Sequence, residues 1–143
     1  EPIMQFSCFF WLGDLNYRIN DNFDYIVNKF KEEGEKAVPE LLKIEEMYDI
    51  KKNNEAFANF EEMPISFIPT YRLLRSTPVW SRKKDQCPSW CDRILWAQQP
   101  TCKLNPISYD SMPEVYGSDH RPVLAEFDVE VQAPFFAGNI TNA

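Results

Sequence analysis

Apolar and charged side chains alternate along residues 121–131, and this pattern constrains the fold more than any other feature of the sequence. A period of two places successive side chains on opposite faces of a β-strand, so the segment predicts a strand with one covered face and one wet face. Such a strand must pair and pack against other elements. Its covered face would carry Val123, Ala125, Phe127, Val129 and Val131, and its wet face Leu124, Glu126, Asp128 and Glu130.

Other segments of the chain can supply the elements that this strand needs. Apolar runs that end at glycine or at polar residues predict further strands, and amphipathic stretches that begin at cap-forming residues predict helices. Strands with helices between them favour an α/β sandwich over a helical bundle. The predicted strands are residues 3–12, 65–68 and 91–96, and the predicted helices run from Asn20 or Asp21 to Glu33, from Pro39 to about Lys52, and around Phe57 and Phe60.

Charge and hydropathy argue against a membrane-spanning protein and against a nucleic-acid-binding protein. The chain has 143 residues, 44% of them hydrophobic, which is enough for one folded core, and it contains no apolar run of the roughly 18 residues that a membrane span requires. A net charge of −7 argues against nucleic acid as a partner. Residues 71–96 nevertheless carry six bases and two acids, which indicates either a focused anion site or a solvated loop.

The cysteine and histidine content bears on metal binding and on the cellular compartment. Four cysteines stand at positions 8, 87, 91 and 102 without metal-ligand spacing, and His120 is the single histidine, so a zinc site is excluded. We expect reduced thiols in a cytoplasmic protein.

Three polar clusters lie at the ends of apolar segments and are the candidate site. Asp14 and Asn16 follow the first strand, where they could orient a water and a phosphate oxygen or simply form an Asx turn. Asp92 and Arg93 lie in an apolar strand and face opposite sides, so they need different partners, and a structural ion pair is the alternative for Asp92. His120 precedes the last strand and could be structural, or it could be oriented by Asp92 to contact a phosphate.

Four motifs together resemble those of the inositol polyphosphate 5-phosphatases, of the endonuclease/exonuclease/phosphatase superfamily. The resemblance implies the C-terminal half of a DNase I-like two-sheet α/β sandwich. It also implies Mg²⁺-dependent removal of the 5-phosphate from phosphoinositides or inositol polyphosphates, with a peripheral location at membranes. The motifs are Trp11-Leu12-Gly13-Asp14-Leu15-Asn16-Tyr17-Arg18, Pro69-Thr70-Tyr71-Arg72, Pro88-Ser89-Trp90-Cys91-Asp92-Arg93-Ile94-Leu95-Trp96 and Ser118-Asp119-His120-Arg121-Pro122-Val123.

The resemblance also implies a role for each matching residue. Asp14 would activate or orient the attacking water, and Asn16 would hold that water or a phosphate oxygen. His120, oriented by Asp92, would stabilise charge on the scissile phosphate. Asp119 would help to hold Mg²⁺. The substrate-binding residues would be Tyr71, Arg72, Lys84 and Arg93.

Two differences from the family pattern shape the expectation. Gln86 stands where the family commonly carries a basic residue, so a strong preference for a neighbouring 4-phosphate is not expected. The family's N-terminal half, with a metal-binding Asn and Glu and a second active-site His, has no counterpart in residues 1–143. We therefore expect residues 1–132 to form the C-terminal half of a catalytic domain that is inactive alone, and residues 133–143 to form a tail or linker.

Three other functions deserve a test. Cys87 and Arg93 have the Cys-x5-Arg spacing of cysteine-dependent phosphatases, although the residues between them include no glycine to build a phosphate loop. A nuclease of the same superfamily would use Asp14, Asn16, Asp92 and His120 in the same chemical roles. A truncated, non-catalytic relative could bind phosphoinositides without hydrolysing them.

Overall fold

Two antiparallel strand pairs and a run of short helices make up the fold in the computed structural model, which describes residues 5–130. Strand β1 (Cys8–Asp14) pairs with β2 (Asp92–Gln98), and β3 (Lys103–Ser111) pairs with β4 (Val123–Glu130). The strand predicted at 3–12 is confirmed only in part, because β1 begins at Cys8 and extends to Asp14, and residues 3 and 4 lie outside the described residues. The strands predicted at 91–96 and 121–131 are confirmed, with boundaries shifted by one or two residues. Val131 and the proposed tail at 133–143 lie outside the described residues.

The first predicted helix is confirmed as α1 (Phe23–Glu33). Its cap is Asn22, one residue beyond the predicted Asp21, and the Asn22 side chain accepts hydrogen bonds from the backbone N–H groups of Asp24 and Tyr25. Gly34 ends the helix at a φ of 60°, a conformation that glycine adopts without steric cost.

The second predicted helix is interrupted. In place of one helix from Pro39 to Lys52, the chain forms 3-10 turns at Gly34–Ala37 and Leu42–Ile44 and two α-helices, α2 (Val38–Leu41) and α3 (Glu46–Lys52). Glu45 causes the break because it is extended, with φ −87° and ψ 151°, and bridges to Ile19. Its buried carboxylate accepts hydrogen bonds from Arg93, so a tertiary ion pair overrides the local helical pattern.

Two other predicted elements are wrong, and one strand was missed. Residues 65–68 pair with no strand among residues 5–130 and form an irregular segment, while turns occupy the region of Phe57 and Phe60. Strand β3 escaped prediction because it is polar and contains Pro106, which lies at a shift in its register against β4.

The core joins α1 to both strand pairs. Ile26 and Leu41 are fully buried around Trp90, whose indole N–H donates to the carbonyl of Phe67. Full burial of an aliphatic side chain contributes about 1.5–3 kcal/mol. A second cluster brings the two sheets together, where Phe127 of β4 lies 5.1 Å from the rings of both Phe10 and Trp96. These contacts hold β1–β2 against β3–β4 in the manner of a sandwich.

Alternation in β4 follows the predicted faces as far as Phe127. Val123, Ala125 and Phe127 are partly buried, whereas Leu124 and the acidic residues between them are exposed. Val129 was expected on the covered face but is 43% exposed, because the described residues do not cover this end of the strand. Within residues 5–130, no helix is both long enough and apolar enough to cross a membrane.

Candidate active site

Asp14 and Asp92 meet at one end of the β1–β2 pair. Asp14 is the last residue of β1, Asp92 is the first of β2, and the two are direct partners in the antiparallel register. The Asp92 side chain is 14% exposed and that of Asp14 50% exposed. The pairing of β1 with β2 therefore places one shielded and one accessible carboxylate at the same end of the strand pair.

His120 lies between these carboxylates. Its Nδ1 is 3.0 and 3.1 Å from the two oxygens of Asp92, and its Nε2 is 4.0 Å from Oδ2 of Asp14. The hydroxyl of Thr70 donates to Oδ2 of Asp92 at 2.8 Å, which fixes the carboxylate from another side. The predicted meeting of three distant chain segments is thus present, and Thr70 is a member that the sequence analysis missed.

The electrostatics of this group favour the charged imidazole. The hydrogen bond that His120 donates to Asp92 raises the pKa of His120, partial burial opposes the shift, and the charges of Asp92, Asp14 and Asp119 add to it. With Nδ1–H directed at Asp92, Nε2 remains free to face a substrate.

Backbone pairing explains how His120 reaches this position. Tyr71 exchanges backbone hydrogen bonds with Ser89, and the same residue forms a β-bridge with His120. On either side, Leu73 N–H donates to the carbonyl of Asp119, and Arg121 N–H donates to that of Thr70. The Pro69–Arg72 motif is therefore the bridge that holds the segment of Asp92 beside the segment of His120.

Tyr71 and Arg72, predicted to bind substrate, line this site. The Tyr71 ring lies 4.2 Å from the His120 ring, and its hydroxyl is 3.5 Å from the side-chain oxygen of Gln86. Arg72 forms an ion pair with Asp119 at 3.1 Å. The residue that departs from the family pattern, Gln86, therefore contacts a predicted substrate-binding side chain directly.

Asn16 lies in a turn and does not continue the direction of β1. Asn16 has a φ of 62°, and its N–H donates to Oδ1 of Asp14 at 3.0 Å, which makes the Asx turn considered from the sequence. Oδ2 of Asp14 still faces His120, so the turn and the site coexist. The side-chain oxygen of Asn16 accepts a hydrogen bond from Arg18.

Arg18 is the second site residue that the sequence analysis missed. Its guanidinium lies 4.3 Å from the centre of the Tyr71 ring and also donates a hydrogen bond to the side-chain oxygen of Asn16. Its Nη1 is buried and has no hydrogen-bond partner within residues 5–130. The sequence could have indicated this role, because Arg18 lies in the same motif as Asp14 and Asn16.

The structure does not support substrate binding by Arg93, and this assignment is corrected. Arg93 is 3% exposed, and its guanidinium pairs with Glu45 at 2.8 Å and Glu62 at 2.7 Å. Hydrogen bonds and charge from the two glutamates overcome the effect of burial and raise the pKa of Arg93. Because neighbouring strand residues face opposite sides, Arg93 turns away from the site that Asp92 enters.

Lys84 is exposed on the 3-10 turn Lys83–Asp85, two residues before Gln86. Asp119 lies beside His120, but its carboxylate pairs with Arg72. The three residues whose ligand atoms lie within 4.8 Å of one another are instead Asp14, Asp92 and His120. Asp92 is already bonded to His120 and Thr70, so Asp14 offers the most accessible carboxylate for a cation.

Cysteine-based phosphatase chemistry does not fit the geometry. The Cys87 thiol donates to the carbonyl of Asp21, and burial raises its pKa, so the reactive thiolate is disfavoured. Burial also raises the pKa of Cys91 to about 12. Arg93, which would bind the phosphate in that chemistry, is engaged by Glu45 and Glu62.

Comparisons with known proteins agree with the motifs. Residues 1–126 match the family described as Endonuclease/Exonuclease/phosphatase family 2. Phosphatidylinositol 3,4,5-trisphosphate 5-phosphatase 2A of Danio rerio is 36% identical over 140 residues, which cover 92% of this chain and 11% of that protein. Phosphatidylinositol 3,4,5-trisphosphate 5-phosphatase 1 of Rattus norvegicus is 36% identical over 146 residues, which cover 94% of this chain and 12% of that protein. The chain thus spans a small part of these relatives.

Solved structures show the same architecture. The inositol polyphosphate 5-phosphatase domain of SPsynaptojanin, in complex with inositol (1,4)-bisphosphate and a calcium ion, has a TM-score of 0.77 at 32% identity, covering 90% of this chain and 37% of that one. The ferrous NO complex of Cimex nitrophorin has a TM-score of 0.76 at 28% identity, covering 87% and 42%. The α/β sandwich and the resemblance drawn from the motifs are both confirmed, and the chain belongs to the Endonuclease/Exonuclease/phosphatase family 2, among relatives that are phosphoinositide 5-phosphatases.

Proposed function

We propose that this chain contributes to a Mg²⁺-dependent phosphomonoester hydrolase that removes the 5-phosphate from phosphoinositides or inositol polyphosphates. The main support for the proposal is the position of His120. Its Nδ1 is hydrogen-bonded to Asp92, and its Nε2 faces Asp14. The relatives' names supply the substrate class, and the electrostatics of the site suit an anionic group.

The chain's own residues account for the main tasks of the reaction. Asp14 orients the attacking water through Oδ2, because its other oxygen is fixed by the Asx turn. His120, held by Asp92 and with a raised pKa, donates from Nε2 to a phosphate oxygen as negative charge develops there. Arg72 and Tyr71 contact the neighbouring phosphate, with Arg72 exchanging its Asp119 partner for the substrate.

A hard divalent cation fits the donor set. Carboxylate oxygens are the protein ligands that Mg²⁺ prefers, usually one or two together with waters. Asp14 and Asp92 each offer a carboxylate oxygen, and these atoms lie within 4.8 Å of each other. When bound, Mg²⁺ would neutralise charge on the transferred phosphoryl group. Asp14 is assigned to the attacking water, and the role of Asp119 in holding Mg²⁺ remains a prediction.

The test is phosphate release by the full-length protein that contains this chain. We expect release from an inositol polyphosphate with a 5-phosphate, little release from the same compound without it, and loss of activity on chelation that added Mg²⁺ restores. Asp14→Ala and His120→Ala should each lower kcat by about 10²–10⁴-fold, since each removes a positioned acid–base or charge-stabilising group. Asp128→Ala, an exposed carboxylate on β4, is the matched control and should leave kcat unchanged.

The alternatives give different results in the same assay. Plasmid cleavage that exceeds phosphate release would indicate the nuclease, and phosphoinositide binding without release would indicate the non-catalytic relative. Near-normal turnover in both Asp14→Ala and His120→Ala would contradict the residue roles. This chain without the rest of its protein is expected to be inactive, which the same measurement on residues 1–143 would check.

A further inference from the structure

A hairpin directly beside the site exposes a pair of aliphatic side chains. Arg72 O accepts from Ser81 N–H, and Leu74 N–H donates to Val79 O at 2.8 Å, so residues 72–81 form a two-stranded ribbon. Leu74 and Val79 face each other across this ribbon and are 47% and 54% exposed. A cross-strand aliphatic pair facing solvent gains little for the fold, since neither side chain is buried.

A second loop extends the exposed apolar surface. Ser76 N–H donates to the carbonyl of Tyr116 at 3.1 Å, which ties the tip of the hairpin to residues 113–118. Val115 and Tyr116 on this loop are 39% and 40% exposed. We refer to Leu74, Val79, Val115 and Tyr116 together as the apolar rim.

A buried arginine fixes the two loops to each other. Arg121 is 4% exposed, and its guanidinium donates to the carbonyls of Pro113 and Ser118 at 3.1 Å and also to that of Thr77. All three of these partners are neutral carbonyls. Because they come from both loops, Arg121 connects the two parts of the rim, a role that the hydrolysis mechanism does not use.

The rim borders the phosphate site on both sides. The hairpin begins at Arg72, and the second loop leads directly into Asp119 and His120. Residues 72–85 contain five bases and one acid, and Arg75, Lys83 and Lys84 among them are exposed. Exposed aliphatic groups combined with basic side chains match the polarity of an anionic bilayer surface.

We propose that the apolar rim contacts an anionic phospholipid bilayer and seats the phosphate site on lipid headgroups. The proposal rests on the proposed function, because it names where the enzyme would meet a lipid form of its substrate. A bilayer fits better than a protein partner because the rim is small, with four exposed residues on two loops, and carries exposed cations beside it. A protein interface would instead need a broad complementary surface. Glu114 is the exposed acid in the second loop and would remain at the water side.

The experiment compares lipid and soluble substrates in the full-length protein. A double variant, Leu74→Ser with Val79→Ser, should bind phosphatidylcholine–phosphatidylserine vesicles about tenfold more weakly in sedimentation assays, because it removes two inserting side chains. Hydrolysis of a 5-phosphorylated phosphoinositide in those vesicles should fall by a similar factor. Hydrolysis of a soluble inositol polyphosphate should stay within about twofold of the wild-type rate. Ile107→Ser, an equally exposed aliphatic residue on β3, is the control and should change neither rate.

Each other outcome would overturn the proposal. Equal loss on both substrates would show that the hairpin shapes the site and does not contact lipid. Unchanged vesicle binding together with a lower melting temperature would show that the rim packs against another part of the protein. Absence of hydrolysis on both substrates in the wild-type protein would instead refute the proposed function, while vesicle sedimentation would still test the rim.

Discussion

At the scale of single residues, the site depends on what each side chain already contacts. The same Asp14 closes a turn with one oxygen and faces His120 with the other, so its structural and chemical tasks do not compete. Motif order alone was enough to predict that Asp14, Asp92 and His120 converge. It could not predict the placement of Asn16, because the left-handed backbone at Asn16 directs the side chain away from the strand direction. It also could not predict Thr70, whose role depends on tertiary proximity to Asp92.

Arg18 gives a prediction at this scale. Its guanidinium stacks on Tyr71 and holds Asn16, and one of its nitrogens is buried without a partner among the described residues. A buried donor left unpaired is costly, so a positional task is the better explanation. Arg18→Lys keeps the charge but loses the planar group that stacks, and it should lower kcat/KM on a soluble substrate about tenfold.

The control for this prediction is Arg75→Lys, an exposed arginine outside the site, which should retain the wild-type kcat/KM. Steady-state kinetics together with melting temperature would separate a role of Arg18 in positioning site residues from a role in supporting the fold. A full rate in Arg18→Lys would show that charge alone suffices. A lower melting temperature with unchanged kcat/KM would show that the residue only supports the fold.

At the scale of elements, the break between α2 and α3 shows a tertiary contact overriding local sequence. Amphipathic periodicity predicted one helix, but Glu45 leaves helical geometry to reach Arg93 in β2. No local pattern could reveal this, because the partner is 48 residues away. Sequence alternation predicted β4 correctly, since that strand is covered on one face and wet on the other. It missed β3 because Pro106 and polar side chains obscure the strand pattern.

The buried ion pair predicts a large loss of stability when it is broken. Arg93→Met would leave Glu45 and Glu62 buried without a counter-charge, and the free energy of unfolding should fall by about 3–5 kcal/mol. Lys103→Met breaks the exposed pair with Glu130 and should cost less than about 1 kcal/mol. Urea denaturation measures both values. Similar losses in the two variants would contradict the structural role assigned to Arg93.

At the scale of the whole molecule, the fold and the function are separate questions. The same architecture is shared by a 5-phosphatase domain and by a nitrophorin, so the sandwich does not by itself select a reaction. The distinguishing feature is the convergence of the end of β1, the start of β2 and the loop before β4 on one point. The proposed function therefore depends on whether the groups delivered by those three segments act as a unit.

The most direct test of whether these groups act as a unit is a double-mutant cycle on Asp92→Asn and His120→Ala. The cycle is measured as kcat/KM for 5-phosphate release by the full-length protein. If Asp92 acts by orienting His120, the double variant should be no slower than the slower single variant, because the second change removes a contact that is already lost. If the loss in the double variant equals the product of the two single losses, the residues act independently and the account is contradicted.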